Sequence, residues 1–174
     1  MSRHRTLGPA LVALGIALGL SSGAALAAMT APDVSALGEV APVAHPYDES
    51  ADATAAVAAA LARAQPEGKR VLLVLGGNWC PDCRVLGGAM QAAPIKAFVD
   101  AHFEVVPVDI GRFNKNMGIP ERFGIAKLKG VPSVLVLDAD ATLLNRDDVT
   151  ALGDARTMSA QAIVDWLAGW AVEK

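Results

Sequence analysis

Cysteine is almost missing from this 174-residue chain, which carries two, Cys80 and Cys83. So sparse a pair cannot staple a small scaffold, and the loop it would close is too short to restrain an unfolded chain. Long apolar runs are also lacking beyond the N-terminal stretch, although 53% of residues are apolar and the mean hydropathy is +0.37. That distribution argues against a polytopic membrane protein. No basic block occurs, and 15 Lys and Arg are outnumbered by 18 Asp and Glu. The electrostatic footprint demanded by phosphate backbones is therefore missing, and no nucleic acid is expected as a partner. There is no internal repeat, and the length suits one ordinary domain.

What is present begins with a leader. Arg3 and Arg5 precede an apolar stretch from Leu7 to Leu20, followed by small residues ending Ala25-Leu26-Ala27. This order reads as a signal peptide over residues 1–27, cleaved after Ala27. An uncleaved anchor in the inner membrane is the alternative, because no charge occurs from Thr6 through Pro32. Either way the expected location is a bacterial periplasm, where disulfides form and persist. Residues 28–51, with Pro32, Pro42 and Pro46 and no sustained period, read as a linker or loosely ordered N-terminal segment.

The domain is expected over residues 52–174. An alanine-rich helix starts at Asp52 and ends at Pro66-Glu67-Gly68. Val71 to Leu75 is a continuous branched run, the pattern of a strand buried on both faces. A helix starts near Pro81 and is interrupted at Pro94, and a strand covers Phe103 to Val108. Two such strands joined by a helical crossover make a parallel pair. Pro107 suits a strand end or bulge. Residues 133–137 and 142–145 read as a hairpin, and a final amphipathic helix runs from Ser159 with Ile163, Trp166, Leu167 and Trp170 on one face.

The chemistry concentrates at Trp79-Cys80-Pro81-Asp82-Cys83, between a buried strand and a helix that begins at the pair itself. Unpaired N–H groups at a helix N-terminus favour a thiolate, the nucleophile of disulfide exchange. Cys83, one turn further in, is placed to attack a mixed disulfide formed at Cys80. A zinc site needs four ligands, and beyond the leader only His45 and His102 could join the cysteines, so no metal is expected.

These residues resemble the thioredoxin-like superfamily, in an exported bacterial branch. The likeness spans about residues 52 to 172 and rests on three motifs together: the stretch 71–84, Val-Pro-Val-Asp at 106–109, and Phe-Gly-Ile followed by Gly-Val-Pro-Ser-Val-Leu-Val-Leu-Asp at 123–138. It implies an α/β fold with a central mixed sheet of about four strands flanked by helices. It also implies catalytic Cys80 and Cys83, a flanking Trp79, a cis-proline at Pro132, and Val131 offering its backbone to a substrate strand. Pro81 and Asp82 complete the site. The implied function is thiol–disulfide exchange with protein thiols and disulfides, needing no cofactor beyond the Cys80–Cys83 pair itself, in a monomer supplied by a membrane-embedded electron donor.

Two departures from the family pattern shape the expected poise. Val74 stands where thioredoxin has a buried acid, and Asp82 stands where strong oxidants often carry a histidine. Asp82 should disfavour a thiolate at Cys80, which points to the reducing side. A disulfide-donating oxidase, and a metal carrier or adaptor using the same groove, are the rival readings.

Overall fold

The computed structural model describes residues 29–172, so the expected leader lies outside the described residues. Three strands form one sheet: β1 (Arg70–Gly76), β2 (Phe103–Asp109) and β3 (Ser133–Leu137), in the order β2-β1-β3. β1 is central, parallel to β2 and antiparallel to β3. The sheet is therefore mixed, as expected, with three strands among the described residues where about four were expected.

Alternation along β1 divides the core in two. Val71, Leu73 and Leu75 face a layer with Val57, Ala60 and Ala64 of helix α1 (Ala53–Glu67) and Ile119 of the short helix α4 (Gly118–Arg122). Leu72 and Val74 face the opposite layer, with Leu86 of α2 (Pro81–Gln91), Ile95 and Val99 of α3 (Ala93–His102), and Ile163 and Leu167 of α5 (Ala160–Gly169). α1 is capped by the Asp52 carboxylate, which accepts the Ala55 amide at 2.9 Å, and closed by Gly68 at a left-handed φ of 62°. It ends at Glu67, within the expected Pro66-Glu67-Gly68 stop, with Pro66 in its last turn. α2 and α3 break at Ala92, just before Pro94.

Pro107 lies within β2, with its side chain exposed; β2 is an edge strand, where an outward-facing residue without an N–H removes no ladder bond. The expected hairpin closes differently from its pattern. Residues 142–145 make one bridge, Leu137 with Leu143, with backbone bonds from the Leu144 amide to Val136 and from the Asp138 amide to Thr142. The rest of a fourth strand is replaced by the buried amide of Asn145. Its Oδ1 accepts the Val136 N–H at 2.8 Å and its Nδ2 donates to the Val134 carbonyl at 2.8 Å.

Residues 29–51 are not a loose linker. Apart from a 3-10 turn at Ser35–Leu37 they are irregular, yet Val34 and Tyr47 are buried in the core. The Val34 amide donates to Gln161 on α5, and the Val43 amide to the Arg84 carbonyl on α2. The path is open because α2 carries Gly87 and Gly88. A β-carbon on Gly88 would lie 2.0 Å from the Ala41 carbonyl oxygen, and one on Gly87 would lie 2.7 Å from Pro46.

Candidate functional site

Cys80 is the N-cap of α2, and its sulfur accepts the Cys83 amide at 3.2 Å. Pro81 occupies the first turn, where no amide is needed. The Cys80 thiol also donates to the Val131 carbonyl at 3.5 Å, and the Val131–Pro132 bond is cis. The structure thus brings Cys80, Cys83, Pro81, Val131 and Pro132 together. Both cysteines are free thiols, and both are buried, at 3% and 1% exposure, so Cys80 is nearly as enclosed as Cys83. Burial pushes the Cys83 thiol up to about 12, with a further contribution from the neighbouring Cys80.

Trp79 stands beside the pair and is half-exposed. Its indole N–H donates to the Gly111 carbonyl at 2.7 Å, the Arg112 guanidinium lies 5.0 Å from its ring centre, and Phe113 packs at 6.3 Å. The supporting loop is tied down by Asp109, which accepts the Gly111 amide at 3.0 Å and pairs with Lys115 at 2.8 Å. Arg112 and Lys115 are therefore engaged at the site's rim.

Asp82 departs from its expected role. Its carboxylate is buried and turned to the loop before α5, where it accepts the Arg156 amide at 2.9 Å and pairs with the Arg156 guanidinium at 3.1 Å. The negative charge expected beside Cys80 is thus partnered by a cation from 74 residues away in sequence. Arg84 does not reach the sulfurs; its guanidinium donates to the Val43 carbonyl.

Sequence reasoning missed Tyr47 altogether. The phenol is buried behind Cys83, and both approach Gly76 so closely that a β-carbon there would lie 2.3 Å from the phenol oxygen and 2.6 Å from the Cys83 sulfur. Tyr47, Val74 and Cys83 line a cavity of about 90 Å³ that also touches Met90 and Pro107. The signal that could have found Tyr47 is the Gly87-Gly88 pair inside a helix, which marks a close backbone approach.

A cysteine pair on the first turn of a helix, at the end of the central strand of a mixed sheet and facing a cis-proline, defines a dithiol protein of thioredoxin type. The chain belongs to the thioredoxin-like family, whose model matches residues 52–139. It is similar to a disulphide isomerase from Xylella fastidiosa Temecula1, with 39% identity and a TM-score of 0.67 over 71% of this chain and 94% of that one. An HIV epitope scaffold and a protein of unknown function from Pseudomonas aeruginosa match at 21% and 22% identity, each with a TM-score of 0.36 over 68% of this chain and 86% of theirs. No curated protein matches.

Proposed function

We propose that the protein is a thiol–disulfide oxidoreductase that exchanges the Cys80–Cys83 dithiol or disulfide with protein thiols. The observation that carries this reading is the Cys80 sulfur itself, held as the helix N-cap by the Cys83 amide at 3.2 Å and placed against the Val131 carbonyl before Pro132. Cys80 opens the substrate disulfide, and Cys83 resolves the mixed disulfide. The cysteine pair carries the electrons, so no cofactor or metal is invoked.

The reading extends to the reducing side. Strong oxidants draw their power from a stabilised reduced form, and the residue that stands at Asp82 is an anion bound to Arg156 rather than a cation facing the thiolate. Export rests on the pattern of residues 1–27, and an exported reductant requires a membrane-embedded donor. Disulfide donation or isomerisation is the second reading, favoured by the name of the Xylella relative.

The test is Cys83→Ser, expressed in bacterial cells. Covalent adducts through Cys80 are expected on non-reducing gels; metal bound to the reduced protein, with no adducts, would favour a carrier. Equilibration of the wild-type pair with glutathione separates the directions, since a potential near that of the strong oxidants would overturn the reducing reading.

A further inference from the structure

We propose that Tyr47 is a positioning residue for the resolving step, its phenol donating a hydrogen bond to the Cys83 thiolate in place of the buried acid that Val74 does not provide. The inference rests on the exchange chemistry above and goes beyond it.

The geometry comes first. Tyr47 is 3% exposed, and its hydroxyl is the buried side-chain polar atom left without a hydrogen-bond partner among the described residues. Native interiors rarely leave such a group unpaired, and one left so calls for a functional or structural reason. Its neighbour across Gly76 is the Cys83 sulfur. A thiol is a weak acceptor, whereas a thiolate is a strong one, so the bond gains strength when Cys83 ionises. Electrostatics agree in sign: Tyr47 favours the Cys83 thiolate against its burial, while burial and the Cys83 charge drive the phenol far above its ordinary range and keep it a donor. The backbone is clamped for the purpose. Asn78 accepts the Tyr47 amide at 3.0 Å and donates to the Tyr47 carbonyl at 3.0 Å, two residues before Cys80.

In the reducing direction, the Cys80 thiolate attacks a substrate disulfide, forms the mixed disulfide and releases one substrate sulfur as a thiolate. Cys83 then gives its proton to water and attacks the Cys80 sulfur. The Cys80–Cys83 bond forms, the bond from Cys80 to substrate breaks, and the second substrate sulfur leaves and takes a proton from solvent. Two electrons pass from the protein dithiol to the substrate. Tyr47 acts only on the anion formed at Cys83.

Tyr47 is the chain's one tyrosine, so biosynthetic replacement by 3-fluorotyrosine alters this phenol alone. The assay loads Cys80 with thionitrobenzoate and follows its release by Cys83 across pH 7 to 10. A tenfold loss of thiolate, partly offset by greater nucleophilicity, predicts release about threefold slower at pH 7 in Tyr47→Phe, with the rate–pH line displaced to higher pH. The fluorinated chain, a better donor of nearly unchanged shape, should be displaced the opposite way. Opposite displacements are what a purely structural phenol would not produce. Coincident lines for wild type and both variants would overturn the inference while leaving exchange itself intact; failure of the wild type to release thionitrobenzoate would instead overturn the exchange reading. If Tyr47→Phe does not fold, the fluorinated chain decides alone: a displacement to lower pH supports the inference, and coincidence with wild type overturns it.

Discussion

Asn78 grips Tyr47 by both backbone groups, its carbonyl oxygen taking the amide and its amide nitrogen reaching the carbonyl, each at 3.0 Å. The same Asn78 nitrogen donates to Glu49 at 2.9 Å. The residue that leads into Trp79 and Cys80 is thereby also one of those that fasten residues 29–51 to the domain. Segment and site are one structure, and perturbing the first should be felt in the second.

Gly88→Ala tests that union. Alanine is the better helix former by about 1 kcal/mol, so an isolated α2 would gain. Here the new β-carbon meets the Ala41 carbonyl oxygen at 2.0 Å, and the segment must move. A net loss of about 1–3 kcal/mol is expected in urea denaturation, with faster proteolysis near Ala41. An unchanged midpoint would show that the segment contributes nothing to stability.

The pH dependence follows from Cys83, whose thiol is pushed up to about 12 from 9.0 by burial. The resolving rate should climb with pH through the neutral and mildly alkaline range, because the thiolate is the scarce species throughout. Stability moves the other way. Between the unfolded value of 9.0 and the folded value of about 12 the native state holds the proton that the unfolded chain has lost, so stability falls as pH rises across that window. Denaturation midpoints at pH 8 and pH 10 check the sign, and Cys83→Ala should flatten that part of the difference.

Arg156→Ala leaves the Asp82 carboxylate at the start of α2 without its guanidinium. The pair is half in solvent on the arginine side, so the effect on stability is small. Alkylation of Cys80 by iodoacetamide at pH 7 should slow about twofold, since the uncompensated carboxylate opposes the thiolate. The difference should shrink in 0.5 M salt, as expected for a partly exposed charge.

Asn145→Ala removes both bonds that stand in for a fourth strand. The Val136 amide and the Val134 carbonyl lose their partners in the interior, at a cost of about 2–4 kcal/mol in urea denaturation. Asn145→Asp, which can accept from Val136 but cannot donate to Val134 when ionised, should lose stability as well.

Much of this architecture was legible in sequence where local pattern and burial agree. The apolar run of β1, the helix start near Asp52, the break before Pro94 and the cysteine pair at the start of α2 all state their place within a few residues. Reading failed where a partner lies far along the chain. Asp82 reads as a bare charge until Arg156 is brought to it, and Tyr47 reads as part of a linker until Gly87 and Gly88 let that stretch approach. The hairpin misled for a related reason: alternation promises a full ladder, but after a short backbone pairing a single asparagine side chain makes the bonds at Val136 and Val134.

Both margins of the sheet are thereby shut to added strands. On one side Pro107 interrupts the donors of β2; on the other Asn145, together with the Val149 carbonyl that accepts the Val134 amide, occupies the outer groups of β3. Open edges template aggregation. Neither flank of this sheet therefore offers an extended chain the run of unpaired donors and acceptors that strand addition needs.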